Sequence, residues 1–141
     1  FFRRGLRLVI DGLDPKLLRK TLEQETITLE EEKGRAARVF ESAGGYAPTI
    51  GIIGAVLGLI HVMENLSNPA ELGSGIAVAF VATVYGVGSA NLLLLPIAKK
   101  IMNHLRHEVY MREIIIEGVL GIQSGKNPYY LREYLNSFIT K

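Results

Sequence analysis

Two long stretches of the chain contain no charged residue, and both are long enough to form membrane-crossing helices. Residues 72–98 form a stretch of 27 residues, and residues 42–60 form one of 19. At about 1.5 Å of rise per residue, the longer stretch would cover roughly 40 Å as a helix, more than the ~30 Å hydrocarbon layer of a membrane. The shorter stretch is near the lower limit of that length, and its helix can extend to Leu66 if His61 and Glu64 lie at the level of the lipid headgroups. The pattern predicts an all-α protein built on an integral membrane helical hairpin with cytoplasmic helical extensions.

Basic residues lie outside the predicted hairpin and are absent from its turn. Residues 61–75 contain no Lys or Arg, whereas both outer flanks carry them: Lys33, Arg35, Arg38, Lys99, Lys100 and Arg106. By the positive-inside rule, both flanks are cytoplasmic and the turn is extracytoplasmic. We therefore expect a multi-pass membrane protein. The formal net charge of +2 is too small to indicate a nucleic-acid partner.

Local signals divide the chain into five segments. We expect a cytoplasmic helical segment at 1–43, a first transmembrane helix at 44–66, a periplasmic turn at 67–75, a second transmembrane helix at 76–98 and a cytoplasmic helical tail at 99–141. Asp14 and Pro15 have the residue types of an N-cap and a first helical position. Gly44 and Gly45 are expected to end the first long helix, and Pro96 is expected to kink the second span. Residues 124–128 read as a turn before a terminal helix.

Small residues recur at helical spacing on each span. Ala47, Gly51, Ala55 and Gly58 form one stripe, and Gly54 and Gly58 make a further small pair; Gly75, Ala79, Thr83, Gly86 and Ala90 form the stripe of the second span. In lipid, helices associate by close packing of small faces and by hydrogen bonds. The two stripes fit packing against each other, and they also fit a third helix lying against both. Hydrophobic spans of this kind favour oligomers.

The spans contain no Asp, Glu, Lys or Arg between residues 42 and 60 or between 72 and 98. An ion carrier normally needs such a group within the membrane, so a conducting protein of this type would need a carboxylate from a partner or from another part of the chain. Thr83 is a polar residue near the middle of the second span. The chain has no Cys, its Gly125-Lys126 turn lacks a complete phosphate-loop motif, and His104 and His107 lack a third metal ligand. We expect no catalytic site, no metal site, no cofactor and no enzyme activity.

Several motifs closely resemble the MotA/PomA family of flagellar stator subunits. AGGYAPTIGIIGAVLGLI at 43–60 resembles the third span of that family, and LGSGIAVAFVATVYG at 72–86 resembles the start of the fourth. PIAKK at 96–100 matches the exit of that span, and EGVLGIQSGKNP at 117–128 resembles the cytoplasmic tail. Residues 4–25 are similar to the end of the cytoplasmic loop. Since the family has four spans and this chain begins without Met, we expect the natural protein to be longer on its N-terminal side.

The resemblance implies a location in the bacterial inner membrane, a partner and a function. Members of the family form a ring of five subunits around two MotB/PomB subunits, each of which contributes a span with an ion-carrying aspartate. That aspartate supplies the carboxylate that this chain lacks. The resemblance further implies that ion flow rotates the ring and drives the rotor protein FliG. The rotor-contacting charges of the family lie upstream of Phe1.

The resemblance also implies roles for individual residues. Pro48 and Pro96 match prolines linked to conformational change on ion transfer, and Thr83 matches the threonine that faces the partner's aspartate. Ala55 and Ala82 match positions where sodium-driven members carry Thr, so protons are favoured over sodium as the coupling ion. The residues that we expect to serve helix packing are Gly51, Gly54, Gly58, Gly75, Ala79 and Gly86.

The sequence leaves three other functional hypotheses open. An ExbB/TolQ-type proton channel that energises outer-membrane processes would share the ring and a pore-lining threonine. A membrane scaffold that conducts no ions would use the small stripes for helix pairing alone. A soluble helical binding module would bury the hairpin in its core.

Overall fold

The computed structural model describes residues 1–64 and 69–139, and these residues are almost entirely helical. Its elements are α1 (Phe2–Ile10), α2 (Pro15–Glu64), α3 (Pro69–Ser89), a π-helical turn (Ala90–Leu94), α4 (Leu95–Gln123) and α5 (Pro128–Ile139). Two helical stretches, Pro15–Glu64 and Leu72–Gln123, are long and apolar enough to cross a membrane. The all-α prediction is confirmed.

The helix ends follow from local chemistry. Asp14 Oδ2 accepts hydrogen bonds from the backbone N–H groups of Lys16 at 3.0 Å and Leu17 at 3.3 Å, which makes Asp14 the N-cap of α2. Asn127 does the same for α5 through Tyr129 N–H at 2.9 Å. Helix α1 ends in a Schellman motif, in which Gly12 adopts a φ of 77° and Leu13 N–H donates to Leu8 O.

Two of the predicted boundaries differ from the structure. Helix α2 runs through Gly44 and Gly45 without a break, so the predicted helix end there is wrong. Packing explains the glycine at position 44. A Cβ there would lie 2.7 Å from Leu95 Cδ2, so only glycine leaves room for the Leu95 side chain. Helix α3 begins at Pro69, which suits proline at the first helical position, so the predicted turn is shorter than 67–75. Residues 67 and 68 of that turn lie outside the described residues.

The chain divides into two compact units: the hairpin unit (Arg35–Met102) and the terminal unit (Phe1–Gly34 with Asn103–Lys141). In the terminal unit, Leu18 and Leu22 of α2 pack with Ile116 and Val119 of α4, all of them buried. Apolar side chains of α1 cover this cluster, and Gln123 Nε2 donates to Leu13 O at 2.6 Å. In the hairpin unit, α2 and α3 pack along their small residues.

A charge network also joins α1, α2 and α4 within the terminal unit. Lys33 Nζ lies 2.5 Å from Glu108 Oε2, and Arg112 lies 3.6 Å from Glu108 and 4.0 Å from Glu25. Arg4 of α1 lies 3.1 Å from Glu25. The hydrogen bond from Lys33, helped by the charges of Lys33 and Arg112, lowers the pKa of Glu108 although partial burial opposes it.

The lowered pKa of Glu108 leads to a pH-dependent prediction. Since the pKa is lower in the folded than in the unfolded state, Glu108 stabilises the fold at neutral pH, and this contribution is lost as the pH falls through the folded-state pKa. Glu108→Gln should lower the free energy of unfolding at neutral pH by roughly 0.2–1 kcal/mol, the usual value for exposed ion pairs. Thermal unfolding of the full-length protein in detergent, at neutral and acid pH, measures this difference.

Glu133→Gln is the matched control, because Glu133 is exposed on α5 and makes no ion pair with any residue in 1–64 or 69–139. It should leave stability unchanged at either pH. A Glu108→Gln penalty that persists undiminished at acid pH would show that packing, and not the charge, causes it.

Candidate functional site in the helical hairpin

The hairpin unit is built on a close crossing of α2 and α3 at two glycines. A Cβ on Gly86 would lie 2.7 Å from Gly51 Cα and 2.8 Å from Ala47 O, both backbone atoms. A Cβ on Gly51 would lie 2.9 Å from Ala82 O. No side chain larger than hydrogen fits at either position unless the helices separate.

The remaining small residues continue this contact along the hairpin. A Cβ on Gly54 would lie 3.1 Å from the Cβ of Ala82, and one on Gly58 would lie 3.2 Å from that of Ala79. Gly75 faces the side chain of Val62. All six residues predicted to serve packing therefore lie in the α2–α3 contact: Gly51, Gly54, Gly58, Gly75, Ala79 and Gly86. The two stripes pack against each other, as one of the two sequence-based interpretations expects.

The three residues predicted for the ion path lie at one level of the hairpin. Ala82 contacts the Gly54 position, Ala55 follows Gly54 in α2, and Thr83 follows Ala82 in α3. Ala55 and Thr83 are partly buried, and each lies one residue, about 100° around its helix, from the contact of Gly54 with Ala82. They therefore lie at the edge of the helix pair, where a third helix could reach them.

The hydroxyl of Thr83 has a local partner. Its Oγ1 donates to Ala79 O, one turn earlier, at 3.3 Å. A bond of this kind lets a membrane helix carry a hydroxyl group without an unsatisfied donor. The distance is long for an O–H···O bond, so the hydroxyl can exchange this weak partner for a stronger acceptor.

The two predicted hinge prolines lie at the same end of the hairpin. Pro48 lies inside α2, and it removes the N–H that would otherwise donate to Gly44 O. Pro96 is the second residue of α4, and the preceding Leu95 packs against the Gly44 position. Both proline sites therefore border one helix contact.

The sequence pattern did not indicate the π-helical turn at Ala90–Leu94. Leu95 N–H donates to Ala90 O, five residues earlier, and this wider turn ends two residues before Pro96. Ser89 and Asn91 donate their side-chain hydrogens to the carbonyls of Gly86 at 3.1 Å and Val87 at 2.9 Å. Single π-turns often mark functional positions in helices. Polar residues just before an intramembrane proline were the available signal.

Residues of the described part of the chain do not form a metal centre. No group of three or more His, Cys, Asp or Glu side chains is placed to hold an ion in residues 1–64 and 69–139. His104 and His107 are exposed on α4.

Comparison with known proteins identifies a family and relatives to which this chain is similar. Residues 1–114 match the MotA/TolQ/ExbB proton channel family. The uncharacterized protein YtxD of Bacillus subtilis is 38% identical over 141 residues, covering 100% of this chain and 52% of the relative. Motility protein A of Borreliella burgdorferi is 39% identical over 140 residues, covering 99% of this chain and 54% of the relative.

A solved structure extends the similarity to three dimensions. The flagellar MotAB stator complex from Bacillus subtilis matches with a TM-score of 0.88 and 36% sequence identity, over 96% of this chain and 54% of that chain. This chain spans about half the length of the curated relatives it matches. The resemblance to MotA/PomA proteins that the motifs indicate is confirmed, and the chain belongs to the MotA/TolQ/ExbB proton channel family.

Proposed function

We propose that the protein acts as a subunit of a flagellar motor stator, in which it forms an ion channel with a MotB-type partner and converts ion flow into torque. The observation that carries this proposal is the close-packed hairpin, which presents Thr83 at its edge and has no Asp, Glu, Lys or Arg in residues 42–60 and 72–98. Its similarity to a flagellar MotAB stator complex supports the same assignment.

The ion path needs an acceptor that this hairpin does not supply. Residues 42–60 and 72–98 contain no Asp, Glu, Lys or Arg, and moving an ion through a membrane requires polar groups that replace water. An aspartate on a partner helix, seated beside Ala55 and Thr83, provides the carboxylate. Thr83 then contributes a hydroxyl oxygen next to it.

Protons are the coupling ion in this proposal. Sodium must exchange most of its water shell for oxygen ligands, and two positions at the Thr83 level, Ala55 and Ala82, offer only methyl groups. A proton needs a single acceptor and a hydrogen-bonded relay, which one carboxylate and one hydroxyl can supply.

The assembly is a ring in the bacterial inner membrane. The hairpin contacts lipid and neighbouring copies, its turn lies on the periplasmic side, and its basic flanks lie in the cytoplasm. Five copies surround the partner's helices, and charged cytoplasmic segments drive the rotor protein FliG. The exposed apolar side chains of the hairpin, such as Ile53 and Val84, suit both lipid and subunit contacts.

Swimming of cells that contain the full-length protein as their one stator tests this proposal. Motility should not depend on the sodium concentration and should be abolished by a protonophore. Ala55→Thr should slow swimming, because it adds a polar group beside the ion path, and Ala77→Thr is the matched control on an exposed position of α3.

Other outcomes separate the alternatives. Swimming that follows the sodium gradient contradicts the proton assignment and keeps the stator. Motility that is unchanged when the protein is deleted, in cells with no second stator, contradicts the stator. The remaining hypotheses would then be an ExbB/TolQ-type channel and a membrane scaffold that conducts no ions.

A further inference from the structure

The terminal unit carries an open groove of about 410 Å³ between α2, α4 and the end of α5. The floor of the groove has no unpaired polar group at Ile116 or Thr26. Ile116 is buried and apolar, and the buried Thr26 donates its hydroxyl hydrogen to Leu22 O at 2.9 Å. Phe138 closes one side, and Ile27 is 46% exposed at the rim. The groove can therefore receive an apolar side chain.

The walls of the groove carry an excess of negative charge. Glu23, Glu30, Glu113 and Glu117 line it, against the single guanidinium of Arg19. Arg19 is already engaged, at 2.6 Å from Glu117 and 3.3 Å from Glu23. Within residues 1–64 and 69–139, Glu30 and Glu113 have no ionic partner. Two carboxylates are thus available to a cation from outside the unit.

A basic face of matching chemistry lies on α1. Arg3, Arg7 and Ile10 recur at i, i+4 and i+7, which places them on one side of the helix, and all three are exposed. Ile10 is 83% exposed. Unlike Arg4, which pairs with Glu25, neither Arg3 nor Arg7 has an ionic partner in the described part of the chain.

The groove and the basic face lie on different sides of α2. Leu22 and Glu25 face α1, since Leu22 lies near Gly5 and Glu25 pairs with Arg4. Glu23, Ile27 and Glu30 line the groove. At about 100° per residue, these two sets point in directions that differ by roughly 130°. One copy therefore cannot place its own α1 in its own groove.

We propose that the basic face of α1 in one copy, formed by Arg3, Arg7 and Ile10, docks into the groove of the neighbouring copy. Arg3 and Arg7 meet the free carboxylates of Glu30 and Glu113, and Ile10 packs against Ile27 and the groove floor. Two complementary surfaces on different sides of one subunit make a head-to-tail contact, which closes into a ring when the rotation fits. The proposal rests on the self-association in the proposed function, and it is independent of the ion path.

The contact sets the register between neighbouring subunits more than it holds the ring together. Exposed ion pairs contribute roughly 0–1 kcal/mol each, and salt screens them over about 8 Å at physiological ionic strength. Complementary charge mainly selects partner and orientation. Contact between copies through this surface should therefore weaken as the salt concentration rises.

Disulfide cross-linking in native membranes tests the contact, because the chain has no cysteine of its own. In full-length protein without other cysteines, Arg7→Cys combined with Glu30→Cys in one chain should give a ladder of oligomers on oxidation. Co-expressed single variants should give dimers only, and each single variant alone should give none. Gln24→Cys in place of Glu30→Cys is the matched control, since Gln24 is exposed on α2 and does not line the groove.

Exchanging the charges of Arg7 and Glu30 provides a second test of the contact. With Arg3→Cys and Glu113→Cys as reporter pair, Arg7→Glu should lower the cross-link yield severalfold, and Glu30→Lys in the same chain should restore it. A double variant that stays low contradicts the pairing. Dimers from Arg7→Cys alone indicate a symmetric contact instead.

Size measurement separates the two proposals. Protein that elutes as an oligomer and does not cross-link overturns this contact and leaves the stator assembly intact. Protein that elutes as a monomer removes the self-association as well.

Discussion

Gly86→Ala should destabilise the hairpin strongly, although it adds a single methyl group. The new Cβ would lie 2.7 Å from Gly51 Cα and 2.8 Å from Ala47 O. Both atoms belong to the backbone of α2, so no rotamer change can relieve the clash and the two helices must separate. Overpacking of this kind costs about 1–3 kcal/mol, and the separation also weakens the contacts of Gly54 and Gly58. Thermal stability and oligomer yield of the full-length protein in detergent measure the effect.

Gly88→Ala is the matched control for this substitution. Gly88 lies two residues further along the same helix, and a Cβ there would meet no atom within 4 Å. Since Ala favours a helix over Gly by about 1 kcal/mol, Gly88→Ala should be neutral or stabilising. A Gly86→Ala protein as stable as the Gly88→Ala protein would show that the helices can move apart at no cost, and that the crossing is not a constraint on the hairpin.

The start of α2 was predictable because it depends on neighbouring residues alone. Asp14 followed by Pro15 specifies a helix start through a cap and a fixed φ, and the structure shows the cap bonds. Asn127 followed by Pro128 repeats the same arrangement at α5. Such signals need no information about the rest of the fold.

The glycine pair Gly44-Gly45 shows where local rules fail. Glycine lowers helix propensity by about 1 kcal/mol, which argues for a helix end, yet α2 continues. Gly44 contacts Leu95, about fifty positions away in sequence. Helix propensity depends on the residue alone and cannot indicate such a distant contact. In membrane helices, where small residues serve close packing, glycine is a weaker stop signal than in soluble helices.

The sequence indicated which helix faces carry small residues. It did not indicate which neighbouring residues on those faces meet across the helix pair. Spacings of three and four both keep a residue on one helix face, so the stripe alone cannot choose between Gly54 and Ala55, or between Ala82 and Thr83. The structure places Gly54 and Ala82 in the contact between α2 and α3. The difference matters because it leaves Thr83 at the edge of the pair. Neither periodicity nor composition indicates the π-helical turn at Ala90–Leu94.

Thr83→Val should abolish most ion flow while leaving the assembly intact. Valine has nearly the shape of threonine and loses only the hydroxyl, whose bond to Ala79 O is long at 3.3 Å, so the fold should barely change. If the hydroxyl bonds the ion-carrying carboxylate, its removal costs about 1.5–3 kcal/mol, which corresponds to a roughly 10- to 150-fold lower rate. Proton uptake by vesicles that contain the full-length protein with its partner measures the rate directly.

Two variants distinguish a role in the path from a role in packing. Thr83→Ser keeps the hydroxyl and should retain most of the flux, whereas a packing role would make it the more damaging change because it removes a methyl group. Ser89→Ala removes a hydroxyl that is bonded in the same local way, to Gly86 O at 3.1 Å, six residues further along, and should leave flux unchanged. Full flux in Thr83→Val would exclude the hydroxyl from the path. The partner's carboxylate would then have to relay protons through water or backbone groups, and the edge position of Thr83 would serve helix contact alone.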